Sequence, residues 1–367
     1  MKILHINSYY SSSYFYKNLY EKQKQTGMNI DVYVPVPYSF NAKELNLGEY
    51  TKIKKNHGKY DRILFHLKHK KIYQDLVSNY DVNRYSLVHA HSLFSNGYIA
   101  YRLKKEYKIP YIVAVRNTDI NVFFKYMVYL RKLGVEILNE ADKVIFLSKT
   151  YRNFLIDRYI QNNLKEEVFA KSEIIPNGID DFWLHNKGTP RNLTDQRKIN
   201  LLTVGVLDKN KNQLITAKAI ELIREKGYEI KYTVVGKAKS KKIYEKIKNL
   251  PYIQYIPHVT KEELIDIYRK NDIFVMPSRT ETFGLVYPEA MSQGLPVVYT
   301  KGQGFDGQFE EGEVGHSVNC HNTYEIARRI IDIVCFYKQI SKNCIESCEK
   351  FNWDIICEKY EKIYSHI

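Results

Sequence analysis

The stretch Pro277–Val298, PSRTETFGLVYPEAMSQGLPVV, holds two glutamates eight residues apart, Glu281 and Glu289. On one continuous helix their side chains would diverge by about 80°, eight steps of ~100°. The apolar run Ile273–Met276 before them and Gly294 after them predict strand, loop and helix instead. Glu281 then stands in the loop and Glu289 about two turns into a helix from about Phe283 to Gln293, both facing the crevice. Thr282, Phe283, Gly284 and Leu285 form the start of that helix, where unpaired N–H groups and the helix dipole attract an anion. Gly284 lets a ligand approach the backbone closely. Amides for a diphosphate beside carboxylates for hydroxyls is a chemistry that suits a nucleotide sugar.

The elements that must position these groups alternate along the whole sequence. Lys2–Asn7, Asp31–Val36, Ser86–Ala90, Tyr111–Val115 and Lys143–Leu147 read as short apolar strands, and Ser13 to about Gln25 reads as a helix stopped by Gly27. Regularity fails between Pro176 and Asn200, which reads as a linker. Alternation restarts with Leu201–Val206, helix Asn212–Lys226, strands Ile230–Val235 and Ile253–Ile256, and a Thr260/Glu263 capping box before helix Leu264–Arg269. Strands Ile273–Met276 and Pro296–Thr300 follow. This is an α/β protein of two doubly wound units in tandem, 1–180 and 190–350, followed by an amphipathic helix at about 351–367. Ligands of such sheets sit at the carboxyl ends of the strands, so a cleft between two facing units is the expected site.

Length and composition agree. The 367 residues suffice for two domains, and 44% apolar with 26% charged residues excludes a disordered or fibrous chain. No apolar run reaches the ~20 residues of a spanning helix, and Met1–Tyr10 lacks an apolar core of signal-peptide type. The five cysteines, Cys320, Cys335, Cys344, Cys348 and Cys357, have no Cys-x-x-Cys spacing and read as reduced thiols of a cytoplasmic protein. The net charge is +15, and residues 1–180 carry 28 Lys and Arg against 17 Asp and Glu. A phosphorylated ligand, an anionic membrane or nucleic acid would each be attracted. Within that half, residues 51–76 interleave Lys52, Lys54, Lys55, Lys59, Arg62, Lys68, Lys70 and Lys71 with Tyr60, Ile63, Leu64, Phe65 and Leu67. This reads as an amphipathic helix for an anionic membrane face, or as a solvated charged face. His89 and His91 have no third metal ligand spaced with them, so no metal site is expected.

The residues between and after the glutamates, FGLV and EAMSQGLPVV, resemble those of retaining glycosyltransferases of the GT-B fold that carry a Glu-x7-Glu motif, the glycosyltransferase family 4-like or group 1 enzymes. Ile175–Asp180 (IPNGID) resembles that family's interdomain signature. Leu202–Lys211 (LTVGVLDKNK) resembles its strand, glycine and phosphate-binding lysine, and Val88–Gly97 (VHAHSLFSNG) an N-domain strand end. Tyr252–Leu264 and Asn271–Pro277 match in order and spacing. The resemblance implies two facing Rossmann-like domains, with the helix at about 351–367 packing back on the first, and transfer of a sugar from a nucleoside-diphosphate sugar to a glycan or lipid-linked acceptor, in capsule, exopolysaccharide or lipopolysaccharide synthesis. It implies that Glu289 accepts from the ribose hydroxyls and that Glu281 lies at the donor sugar. Lys211 and the Phe283, Gly284 and Leu285 amides would hold the diphosphate, and the backbone at Val259 the base. His91 becomes a candidate acceptor contact.

Three positions depart from the family. Val206 stands after Gly205 where an arginine is usual, with Lys209 nearby. Arg116, followed by Asn117, Thr118 and Asp119, stands where a histidine is usual. An arginine is no general base, so Arg116 is expected to stabilise the leaving group and Asp119 to bind a sugar hydroxyl or take the histidine's role. The loop Asn7–Ser13 (NSYYSSS) lacks the usual glycines. No Asp-x-Asp occurs, so no divalent metal or other cofactor is required. A nucleotide-sugar epimerase of the same fold, a glycosidase with paired carboxylates and a basic nucleic-acid-binding protein are the competing readings. The FGLV helix start, which suits a phosphate, argues against the glycosidase, and no nucleic-acid motif occurs.

Overall fold

The computed structural model describes every residue except 13–14, 42–46, 59 and 63. It separates into two compact units: 1–147 with 151–175 and 353–367, and 148–150 with 176–352. Each is one parallel sheet covered by helices.

In the first unit the strands are β1 (Lys2–Ile6), β2 (Asn29–Pro37), β3 (Thr51–His57), β4 (Leu87–Ala90), β5 (Tyr111–Val115), β6 (Lys143–Phe146) and β7 (Ser172–Ile174), in the order β3-β2-β1-β4-β5-β6-β7. Every residue of β4 (LVHA) and β5 (YIVAV) is buried, as expected of strands covered on both faces. The order reverses between β1 and β4, where doubly wound sheets open a crevice at the strand ends. Helix Phe15–Gln25 buries Tyr16, Leu19, Tyr20 and Gln23, one face at 3.6 periodicity, and the chain turns at Gly27 with φ +84°. Against it packs the last helix, Trp353–Ser365, through Trp353, Ile356, Cys357, Tyr360 and Tyr364. Lys22 pairs with Asp354 at 2.9 Å, and the Gln23 amide donates to the Tyr364 hydroxyl at 3.2 Å.

The segment 51–76 is not one amphipathic helix. Thr51–His57 is the edge strand β3, paired in parallel with β2 from Val32↔Thr51 onward, and its lysines occupy the edge where a bare ladder would invite aggregation. The helix that follows is Phe65–Asn79, and Phe65, His69, Ile72, Tyr73 and Leu76 turn its apolar stripe into the core. Lys59 and Ile63 of that expectation lie outside the described residues, as does Ser13 of the serine loop. The rest of that loop, Ser8–Ser12, is one 3-10 turn.

In the second unit the strands are β8 (Lys198–Val204), β9 (Glu229–Val235), β10 (Ile253–Ile256), β11 (Ile273–Val275), β12 (Val297–Thr300) and β13 (Gly315–Val318), in the order β10-β9-β8-β11-β12-β13. Its order reverses between β8 and β11. Helix Lys261–Lys270 starts on the Thr260/Glu263 capping box, both reciprocal bonds present. The residues after β8 carry Lys211 and those after β11 carry Glu281, so the reversal point sets the two side by side.

Candidate functional site

The site in the second unit is built by two strand-end loops that brace each other. After β8 the chain passes Gly205, whose φ of +156° is a glycine conformation. The Lys211 stem lies over it, with Cε 3.4 Å from where a β-carbon would be. Asp208 Oδ1 then accepts from the Asn210 and Lys211 amides, both at 2.9 Å, an Asx turn that aims Lys211. Asn210 clamps the second loop with its whole amide, giving to Thr280 O at 2.9 Å and accepting from Thr280 N at 3.0 Å. Asn212, left-handed at φ +61°, donates to Pro277 O and Cys320 O. Between the two clamps the Lys211 ammonium donates to Glu281 Oε2 at 2.5 Å.

Glu281 is held in turn by its backbone. Its N–H donates to Gln303 Oε1 at 2.9 Å, and its carbonyl accepts from Gly304 N. A β-carbon at Gly304 would stand 1.7 Å from Thr282 O, so only glycine permits that close approach. Thr282 is exposed, whereas the Phe283 ring is buried against Phe305 and Phe351. The helix is shorter than its sequence suggests: it is Val286–Ser292, with Leu285 as its cap. Gly284, at φ +79°, ends the preceding turn, and a β-carbon there would strike the Tyr287 ring. Glu289 therefore lies in the first turn, not the second. Among the described residues, the N–H groups of Phe283, Gly284 and Leu285 donate to no protein acceptor.

Glu289 receives the Tyr268 hydroxyl at 3.3 Å on Oε2. Burial pushes its carboxyl up to about 7, with the negative Asp180 adding to the effect and the Tyr268 bond opposing it. Val259 lies half-buried in the loop after β10, beside the Thr260 cap of the helix that carries Tyr268. Val206, in the place of the family's arginine, is exposed and adds no cation.

The first unit brings Arg116, Asp119 and His91 together but gives two of them work the sequence did not suggest. Asp119 is buried, and its oxygens accept from the backbone of Leu93 (3.0 Å), Phe94 (3.1 Å) and Arg116 (2.8 Å). It ties the loop after β4 to the loop after β5, and burial raises its carboxyl to about 6. A carboxylate so engaged is placed as a brace, not as a sugar ligand or base. Arg116 is nearly buried, and its Nε donates to His91 O at 3.1 Å. The His91 side chain is wholly buried, so it presents no surface to an acceptor.

The sequence also missed His91's third companion. Parallel pairing of β1 with β4 sets His5 opposite His89, and His5 Nδ1 lies 3.0 Å from His91 Nε2. The His89 and His91 rings stack at 4.2 Å, and His89 Nδ1 meets the Tyr364 hydroxyl at 2.7 Å. Burial lowers all three imidazoles, His5 to about 3, with Arg116 adding repulsion at His89 and His91. An unfolded histidine charges near pH 6.5 while a folded one here stays neutral, so the unfolded state takes up more protons and stability falls as pH drops through 6.5. Between pH 7 and 4.5 His5 alone is expected to cost roughly 2–3 kcal/mol. Denaturant midpoints across that range check this, and His5→Asn should flatten the fall.

The comparisons with known proteins decide the family. Glycosyltransferase Family 4 matches residues 12–181, and Glycosyl transferases group 1 matches residues 188–347. The protein belongs to the group 1 glycosyltransferases. An uncharacterized glycosyltransferase of Methanocaldococcus jannaschii is 26% identical over 77% of this chain and 75% of its own. An uncharacterized 41.2 kDa protein in a cps region of Klebsiella pneumoniae is 25% identical over 79% and 81%. Among solved structures, sucrose-phosphate synthase of Thermosynechococcus elongatus superposes with a TM-score of 0.75 at 18% identity, over 100% of this chain and 98% of its own. Anabaena HepE in complex with UDP and glucose gives 0.69 at 17%, over the whole of both chains. The group 1 glycosyltransferase thus has the GT-B fold, and among its described residues no helix is long and apolar enough to cross a membrane.

Proposed function

We propose that this glycosyltransferase moves a sugar, with retention at the anomeric carbon, from a nucleoside-diphosphate sugar to a glycan or lipid-linked acceptor in capsule, exopolysaccharide or lipopolysaccharide synthesis. The observation that carries the donor reading is the Lys211–Glu281 pair beside three consecutive unpaired amides at 283–285. A diphosphate on those amides takes the Lys211 ammonium for itself. That releases the Glu281 carboxylate from its ion pair, while the Ser278 hydroxyl and the Thr282 N–H still donate to it, to accept from the hydroxyls of the donor sugar. Glu289 accepts from the ribose hydroxyls, the backbone at Val259 meets the base, and Thr282 lines the exposed side. Charge that develops on the departing diphosphate is met by fixed donors, which is where preorganised sites gain most of their rate. Arg116 is proposed as a further cation for that charge, with Asp119 fixing its loop. Lys211 and the amides supply the positive potential, and no metal is invoked. The UDP and glucose in the similar HepE structure and the cps-region relative support this reading.

A thermal-shift panel of UDP, GDP, ADP, CMP and their sugars tests it, since a ligand bound only by the folded state raises the midpoint. One nucleoside diphosphate is expected to shift the wild type, UDP first among them. No shift from any of them would overturn the donor site. A nucleotide sugar isomerised without acceptor would favour an epimerase.

A further inference from the structure

His5, His89 and His91 are spaced more like the ligands of one ion than like a finished hydrogen-bond network. Parallel pairing sets His5 opposite His89, and the ladder runs on past β4, with His91 N–H donating to Ile6 O at 3.1 Å. Side chains two residues apart on a strand share a face, so one face of the sheet carries all three rings. The third ligand that sequence spacing lacks is thus supplied by the fold. All three side chains are wholly buried, and one ring nitrogen of each lies within 4.8 Å of the others. Each imidazole has two nitrogens to satisfy. Among the described residues, His5 Nε2, His89 Nε2 and His91 Nδ1 have no hydrogen-bond partner. Buried polar atoms are paired as a rule, so three unpaired nitrogens in one cluster point to a ligand.

We propose that the three histidines bind one zinc ion, with Tyr20 as the fourth ligand. Zinc takes nitrogen at ~2.0–2.1 Å in a tetrahedron, which sets neighbouring ligand atoms ~3.3 Å apart. His91 Nε2 already has His5 Nδ1 at 3.0 Å and the Tyr20 hydroxyl at 3.2 Å. A ring nitrogen carries one lone pair or one proton, so it cannot serve both neighbours. A cation between them draws on all three. From 4.8 Å, His89 closes by at most ~1.5 Å to join them. Its Nδ1 rests on the Tyr364 hydroxyl at 2.7 Å, leaving its other nitrogen for the ion. The Asn7 amide donates to the Tyr20 oxygen at 2.9 Å. Three neutral imidazoles leave the ion's charge uncompensated near Arg116, whose Nε donates to His91 O. Tyr20 meets that need by releasing its phenol proton to solvent and binding as phenolate, one proton for each ion. The ion ties β1, β4 and helix Phe15–Gln25 together beneath the loop that holds Arg116. It is built wholly within the first unit, and its binding needs no nucleotide.

Refolding the tag-free protein with zinc or with EDTA tests the site, because a buried site fills as the chain folds. After gel filtration, the zinc-refolded wild type is expected to retain one equivalent of metal by mass spectrometry. It should melt several degrees above the EDTA-refolded form. Cobalt in place of zinc should give the intense visible absorption of a tetrahedral ion. His5→Asn and Tyr20→Phe should each bind zinc about tenfold or more weakly, the second with loss of a single hydroxyl. His321→Asn, at an exposed histidine of the second unit, should retain as much zinc as wild type. A wild type that retains no zinc and shows no cobalt spectrum would overturn the proposal. So would undiminished retention in both variants, which would put the ion elsewhere.

Discussion

Glu289→Ala is expected to lower affinity for the nucleotide donor about 100-fold, since each hydrogen bond to a charged group is worth ~1.5–3 kcal/mol. The structure adds a pH signature. Burial raises the carboxyl from 4.5 to about 7, so in the empty protein Glu289 is about half protonated at neutrality. The ionised form accepts two hydroxyls and the protonated form fewer. Donor affinity should therefore climb as pH rises through 7 and then level off. Glu289→Gln should bind weakly with no such rise. Stability runs the other way: the folded state keeps this proton up to about pH 7 while the unfolded chain gives it up near 4.5. The protein loses stability across that window, and Glu289→Gln should recover on the order of 3 kcal/mol at pH 8 and nothing at pH 4. Calorimetric titrations and denaturant melts at pH 6 and 8 read both. A Glu289→Gln variant that binds donor like wild type at both values would remove the residue from the site.

The second large effect is at Lys211. Loss of one fixed donor to a developing oxyanion costs ~10²–10³ in kcat, and Lys211→Ala should fall in that range. It should also destabilise the unliganded protein, because the Glu281 side chain is only 12% exposed and loses its partner. Breaking a buried pair from one side costs ~3–5 kcal/mol, less here by the share that remains wet. Lys211→Ala combined with Glu281→Gln separates the two roles. The double variant should regain most of the lost midpoint and none of the lost turnover. Recovery of turnover with the midpoint would mean that the pair is only structural.

Much of this was legible because it is local. The Thr260/Glu263 box, the stop at Gly27 and the apolar runs of β5 and β6 each carry their signal within a few residues, and those elements stand where the sequence puts them. The strand–glycine–lysine and Glu281 loops were legible through the family resemblance. What was illegible depends on distant partners. His5 meets His89 only because β1 and β4 are sheet neighbours, which no spacing of 84 residues shows. Asn210 reads as a surface residue until its amide meets Thr280. Asp119 reads as a ligand because the three backbone N–H groups that occupy it come from folding. β3 (TKIKKNH) reads as part of a helix because one apolar residue among lysines gives no period of two. β7 and β13 are too short and polar to register. The helix after Glu281 reads longer in sequence than it is because FGLV carries helical apolar spacing, while the Gly284 turn delays the start to Val286.

The most direct measurement incubates the protein with a panel of nucleotide sugars and a bacterial membrane extract and follows release of the nucleoside diphosphate. The account predicts that one donor is consumed, with its nucleoside diphosphate released, and that Glu289→Ala and Lys211→Ala protein each lose most of this turnover. Consumption undiminished in both variants, or no consumption of any donor by the wild type, would contradict it.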